Sequence, residues 1–594
     1  MILTTAIVRF ILTMFLISST SIAWSAGINP GNDERAKLHA LFDAHWERDM
    51  EDNPVRASML GDRRFNQNWS DLSPTAFNAN AANDRRALSD LSEIDRAQLS
   101  KQERINYDLF KLRYQDRIEG AAFSPHLIPI SQRGGIQTLD ENASRLRLAN
   151  AQDFADWLAR LEKIDELMDQ TIALMNEGIA TGILPPKATM QRVPAQIAKQ
   201  LVKDPEQSLF YKVFNEMPTD IPKTEVASIQ ARAKIVIATK VIPAYQKLDT
   251  YFNEVYYPAC RETYGVSDLP NGKKYYEYLV KRFTTTDMTP EEVHQIGLNE
   301  VKRNRAEMER AISESGFEGS FDEFVHFLRT DPQFYYDTPE ALFEGYLAMS
   351  KRLDPELVHL FGKLPRMPYG LKKIPDVSAP DTTTAYYNRP AADGSRAGYY
   401  YVNLYKPETR PKWEMAVLSV HESVPGHHIQ IALQQELEAL PNFRRYSGFT
   451  VFVEGWGLYS ERLGYDMGLY DDPYDRFGQL TYDMWRAVRL VVDTGMHYKG
   501  WSRQRAIDYF KANAPKSELD IINEIDRYIS MPGQALAYKI GQLKILELRA
   551  EAEARLGKSF DIKEFHDVVL GSGAIPLDVL QATVRDWLNE KLAG

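Results

Sequence analysis

His421-Glu422-Ser423-Val424-Pro425-Gly426-His427-His428 is the stretch that decides how this chain is read. The sequence has only 11 histidines in 594 residues, and three of them fall here, with a glutamate directly after the first. In the pattern H-E-x-x-H, two histidines one helical turn apart bind zinc and the glutamate works on the attacking water. Here the position four after His421 is Pro425, which cannot ligate a metal. The second histidine therefore has to be His427 or His428. Residues six apart on a regular helix lie on different faces, and residues seven apart sit roughly 10 Å apart along its axis. Pro425 lacks the N–H that would bond the carbonyl of His421, and Gly426 permits unusual backbone angles. A local distortion of the helix absorbs the two extra residues and puts His427 in the second ligand position, with His428 as its rival.

A catalytic zinc site needs a third protein ligand and an open position. Phe452-Val453-Glu454-Gly455-Trp456-Gly457-Leu458-Tyr459-Ser460-Glu461 supplies it. Glu454 sits among apolar residues, where an unpaired carboxylate is costly. Gly455 and Gly457 let this helix approach its neighbour closely. Glu461, seven residues on and on the same face, reads as a group that orients a ligand or as an alternate ligand.

Upstream, Gly398 to Tyr405 reads as a strand rich in aromatic and β-branched residues, and Pro411 opens the helix that runs into the histidines. Residues 376–397 read as loop. An edge strand next to a metal-binding helix pairs readily with an extended peptide. Thr289-Pro290-Glu291-Glu292 is a helix start with an N-cap threonine, proline at the first helical position and a capping-box glutamate. A second unit is therefore predicted to begin near residue 280. Residues 33–250 have helical periodicity: Phe42, Trp46 and Met50 recur at one-turn spacing, as do Leu158, Leu161, Ile164, Leu167 and Met168. The predicted fold is mainly α with a small sheet next to the metal-binding helix. It divides into residues 27–280 and 281–594.

Residues 1–26 read as a signal peptide: Arg9, an apolar run from Phe10 to Ile17, then Ala23-Trp24-Ser25-Ala26. Cleavage near Ser25 or Ala26 predicts a periplasmic or secreted protein with no stable membrane insertion. The formal net charge of −11 gives no basic surface for nucleic acid. The single cysteine, Cys260, excludes an internal disulfide and reads as a buried structural thiol.

The combined motifs resemble the bacterial family known as domain of unknown function 885. The resemblance runs through Pro54-Val55-Arg56-Ala57, Leu269-Pro270-Asn271-Gly272, HESVPGHHIQ at 421–430, Glu454-Gly455-Trp456, Asp493-Thr494-Gly495-Met496-His497 and Pro532 to Tyr538. That family looks like zincin-type metallopeptidases with a glutamate ligand, distant relatives of thimet oligopeptidase and angiotensin-converting enzyme. The resemblance implies a two-lobed helical fold with a central cleft and Zn2+ as cofactor. It also implies His421, His427 and Glu454 as ligands, Glu422 as general base, and peptides as substrates.

Stabilisation of an oxyanion requires a further donor opposite the metal. Tyr538 is the preferred candidate. His497, oriented by Asp493 one turn earlier, is a second, sharing a helical face with Arg486 and Arg489. Lys539 or Arg489 could bind a substrate C-terminal carboxylate, which would favour carboxypeptidase or dipeptidase action over internal cleavage. The expected function is an exported zinc peptidase of carboxypeptidase or oligopeptidase type. The alternatives are a metal-dependent amidase on cell-wall-type peptides and an inactive peptidase-like binding protein. Peptide length, end preference and oligomeric state are left open by the residues.

Overall fold

Thr289 starts a helix as its sequence predicts. In the computed structural model, which describes residues 30–376, 379–381 and 383–593, the Glu292 N–H donates to Thr289 Oγ1 and the Thr289 N–H donates to Glu292 Oε2. This closed capping box opens the helix Pro290–Glu314. That helix lies along the long helix Pro473–His497. Gly297 sets their separation, because a Cβ there would lie 2.7 Å from Leu490 Cβ and 3.1 Å from the Val491 backbone nitrogen.

The chain is mainly helical, with a single three-stranded sheet among the described residues. Strand β1 is Tyr369–Lys373, β2 is Ala385–Asn388 and β3 is Gly398–Val402, in the order β1-β3-β2. β3 pairs parallel to β1, with Tyr369 opposite Gly398, and antiparallel to β2, with Tyr387 opposite Tyr400. The predicted strand at 398–405 is therefore the central strand and ends at Val402. β2, a strand inside a segment read as loop, is one of the two edges, and its Tyr387 hydroxyl reaches His428. Burial alternates along β3, with Tyr400 and Val402 fully inside, as the two-residue strand repeat requires.

Apolar side chains gather in three clusters among the described residues, and these do not follow chain order. Residues 130–260 form one by themselves, built around Phe154, Trp157, Phe210 and Tyr245. Cys260 packs in it, and burial pushes its thiol up to about 12, which leaves it an inert packing group. Leu38, Phe42 and Phe110 instead share a cluster with Phe452, Trp456 and Leu588. A cut near residue 280 thus does not separate the cores: the first helices of the chain pack with the last ones. The reason is energetic, since each fully buried large apolar side chain stabilises by roughly 1.5–3 kcal/mol wherever its partner lies in sequence. The remaining cluster joins Met308, Phe324 and Tyr400 to the long helix. The expected signal peptide, 1–26, lies outside the described residues. Among the described residues, no helix is long and apolar enough to cross a membrane.

Candidate metal centre

The helix carrying the first histidine, Met415–Glu422, is buried from Met415 through His421. Ala416 and Val420 pack into one apolar cluster, and Met415, Val417 and Leu418 into another. The helix is apolar on both sides because it lies in the seam between them. It ends at Glu422, and a new helix, His427–Glu436, begins after the turn Ser423–Gly426. The expected distortion of one helix is instead a break into two. The Gly426 N–H reaches back to the Val420 carbonyl at 2.9 Å, and the His428 N–H donates to Ser423 O at 3.0 Å. The Val424–Pro425 bond is cis. A Cβ on Gly426 would lie 2.0 Å from the His421 carbonyl oxygen, so only glycine fits. The Pro425 carbonyl accepts the indole N–H of Trp456 at 2.9 Å, which pins the turn to the helix Thr450–Asp466.

The break brings three ligand-type groups together. One donor atom from each of His421, His427 and Glu454 lies within 4.8 Å of the others. Glu454 Oε2 is 3.7 Å from His421 Nε2 and 3.5 Å from His427 Nε2. These separations are longer than good hydrogen bonds. They are close to the spacing of two ligands around one tetrahedral zinc, roughly 3.3 Å for bonds of about 2.0–2.1 Å. Two imidazoles and one carboxylate also make the donor set of catalytic zinc sites, which keep a fourth position open. The residues therefore fit a zinc ion. Burial raises the pKa of Glu454, but the two histidines outweigh it and hold the carboxyl well below the usual range, ionised as a ligand must be.

Behind His421 sits Glu461, fully buried, with Oε1 2.8 Å from His421 Nδ1. The Arg486 guanidinium lies 3.2 Å from the same oxygen. This carboxylate fixes the ring so that Nε2 faces the cluster, the usual support for a metal-ligating histidine. The two glycines of the glutamate helix act in different places. A Cβ on Gly455 would lie 2.6 Å from Gly541 Cα, so Gly455 sets the contact with the helix Ala537–Leu556. A Cβ on Gly457 would lie 2.9 Å from His421 Cε1 and 3.2 Å from His427 Cε1. Gly457→Ala therefore forces both imidazoles off position. The expected result is weaker zinc retention on dialysis against a graded chelator and a stability loss of about 1–3 kcal/mol in chemical denaturation. Retention equal to that of the unsubstituted protein would show that the rings tolerate the methyl group.

Glu422 is half-buried at the end of its helix and has no hydrogen bond or ion pair among the described residues. His428 points away from the cluster. Its Nε2–H donates to the Met367 carbonyl at 3.0 Å, and its Nδ1 accepts from the Tyr387 hydroxyl at 2.8 Å. Burial lowers its pKa to about 4, so it stays neutral. His427, not His428, is the histidine brought to the cluster.

His497 has no place in the site. Its Nδ1 accepts the Val266 N–H at 3.0 Å, and its Nε2–H donates to the Tyr528 carbonyl at 2.9 Å. Burial drops its pKa to about 4. Asp493 does not orient it. That carboxylate instead accepts from the Tyr276 hydroxyl at 2.6 Å and the Gly533 N–H at 3.0 Å, and burial lifts its pKa to about 7. The shared helical face is thus a buried network tying the long helix to its neighbours, which is why a catalytic assignment for His497 fails. Lys539, wholly buried, is held by Asp483, Gln542 and Glu300 and cannot meet a substrate. Arg489 is also buried, donating to Tyr528 at 2.7 Å and Glu524 at 3.1 Å. Its guanidinium lies 4.4 Å over the Tyr538 ring.

Tyr538 is half-buried on the first turn of its helix. Burial raises its pKa, and so does Glu454, whose charge reaches it. It thus lies within electrostatic reach of Glu454. Sequence reasoning missed Tyr387, whose hydroxyl commits His428, and Gly398, where a Cβ would lie 2.3 Å from that hydroxyl. Tyr387 sits in a segment read as loop, and Gly398, at the start of the expected strand, takes its role only from pairing with that segment.

Comparison with known proteins agrees with the architecture. A crystal structure of a "putative lipoprotein" from Colwellia psychrerythraea is 29% identical, with a TM-score of 0.87 over 94% of this chain and 99% of that one. A "putative lipoprotein of unknown function" from Shewanella oneidensis, 16% identical, shares the fold, with a TM-score of 0.69 over 92% of this chain and 99% of its own. No curated protein matches. The family model for bacterial proteins of unknown function DUF885 matches residues 54–584, which span both histidine helices and the glutamate helix, and the chain belongs to that family.

Proposed function

We propose that this protein is an exported, zinc-dependent peptidase acting on short peptides in a cleft of a zincin-like helical fold. The observation that carries the reading is the buried convergence of His421, His427 and Glu454, with Glu461 fixing the first ring. A zinc ion held there would polarise the scissile carbonyl and lower the pKa of a water to about 7.

The chain's own groups supply the rest. Glu422, uncommitted to any partner among the described residues, takes the proton of the attacking water and passes it to the leaving amine nitrogen. Tyr538, whose ring lies beneath a guanidinium, donates its hydroxyl to the oxygen that gains charge. Export accords with the lipoprotein descriptions of the two similar structures. Lipid attachment does not carry over, because Cys260, the only cysteine in the sequence, is buried in a core.

The test is a panel of short peptides, some with D-residues, incubated with the zinc-loaded protein and read by mass spectrometry. Cleavage of ordinary L-peptides, abolished by a zinc chelator and restored by added zinc, is the expected result. Cleavage confined to D-containing peptides would make it an amidase for cell-wall-type substrates. A protein that takes up no zinc would end the metallopeptidase reading.

A further inference from the structure

Lys539 and Arg489, the cations the sequence offers for the substrate terminus, are both committed elsewhere. Arg133 is exposed and has no side-chain hydrogen bond or ion pair among the described residues. The loop that carries it is held on every side. Ser131 and Gly134 exchange backbone hydrogen bonds at 2.9 and 3.2 Å. Gln137 donates to the Ser131 carbonyl at 2.7 Å, and Gln196 to the Gln132 carbonyl at 2.8 Å. Gly135, at φ +148°, has no room for a Cβ, which would sit 2.7 Å from Gln137 Oε1 and 3.0 Å from the Pro129 carbonyl. A side chain left unpaired on so fixed a backbone is poised for something outside the chain.

The same loop docks against the segment that leads to Tyr538. Gln132 donates through Nε2 to the Asp526 carbonyl at 2.9 Å, and its Oε1 accepts from Ser530 Oγ at 2.7 Å. Next to that contact, Arg527 donates to Gln534 Oε1 at 2.7 Å, four residues before Tyr538. Charge here is unbalanced. Glu524 accepts from Arg489 at 3.1 Å and from Arg527 at 3.0 Å, so one carboxylate serves two guanidiniums. Arg489 still has a buried Nη1 with no partner. Arg133 adds a third positive charge within electrostatic reach of Arg527, Glu524 and Tyr538. Tyr538 in turn feels Glu454 of the metal cluster.

We propose that Arg133 is the docking group for the free C-terminal carboxylate of the peptide, making the protein a peptidase that cleaves near that end. The proposal rests on the peptidase reading above and names its substrate class. A guanidinium presents two parallel N–H donors that match a carboxylate, which a terminal amide cannot replace. An aspartate or glutamate side chain offers the same chemistry, so the two sources have to be separated.

The experiment is calorimetric titration of zinc-loaded Glu422→Gln protein, with and without Arg133→Ala. The probes are tri-alanine, tri-alanine amide and alanyl-alanyl-aspartate amide. The expected result is tri-alanine binding on the order of 10- to 100-fold tighter than either amide, with that preference gone in Arg133→Ala and partly kept in Arg133→Lys. Because the side chain has no hydrogen bond or ion pair among the described residues, both variants should keep the parent's melting temperature. Three results overturn the proposal: equal binding of acid and amide, or no binding of either; a preference that survives Arg133→Ala; or aspartate amide binding as tightly as tri-alanine. Failure of the peptidase reading looks different, since an acid preference lost with Arg133 in a protein whose Glu422 form cleaves nothing would leave the carboxylate site standing.

Discussion

Zinc-loaded Glu422→Gln protein is expected to hydrolyse peptides about 10²- to 10⁴-fold more slowly than the unsubstituted chain, with its zinc content unchanged. The substitution is nearly isosteric and removes only the ability to accept a proton. Glu422 makes no hydrogen bond or ion pair among the described residues, so the change breaks no structural contact. It is also no member of the ligand group. Single-turnover hydrolysis and elemental analysis on the same preparation read the two quantities together. A rate within a few-fold of the parent would move the general base elsewhere. A loss of zinc would make Glu422 a ligand or a support for one.

The second large effect concerns the metal. His421→Ala, His427→Ala and Glu454→Ala should each fall from about one zinc per chain, the content of a mononuclear catalytic site, to none after dialysis. His428→Ala and His497→Ala should keep it. The contrast follows from what the ring nitrogens do. His421 and His427 turn Nε2 toward Glu454 at 3.7 and 3.5 Å. His428 has both nitrogens engaged by Tyr387 and Met367, and His497 by Val266 and Tyr528. These last two variants should instead unfold earlier, because each strands buried hydrogen-bonding groups, at about 1–3 kcal/mol apiece. Zinc retained in His427→Ala but lost in His428→Ala would reverse the ligand assignment.

The residues most legible in the sequence were those whose role is set by near neighbours in the chain. The capping box at Thr289 and Glu292 needs only four consecutive residues to form. The trio His421, His427 and Glu454 was readable because histidine is rare here and glutamate among apolar residues is costly. Gly457 was expected to let its helix approach a neighbouring helix, and the close approach it allows is to the His421 and His427 rings. What misled was helical periodicity used as evidence of partnership. Asp493 and His497 are one turn apart, as a catalytic pair would be, yet each spends its hydrogen bonds on another part of the chain.

The sequence by itself determined the helical class, the candidate donor residues and an interruption of regular helix at Pro425-Gly426, because spacing, rarity and backbone stereochemistry are local properties; that the interruption is a full break into two helices was decided by the tertiary structure. Only the tertiary structure decided between His427 and His428, made β3 a central strand, and joined the first helices to the last in one core. It alone showed Lys539 locked in ion pairs and Arg133 without a side-chain partner among the described residues. Those outcomes turn on which distant group reaches each hydrogen-bonding atom first, and long-range packing, not spacing along the chain, settles that competition.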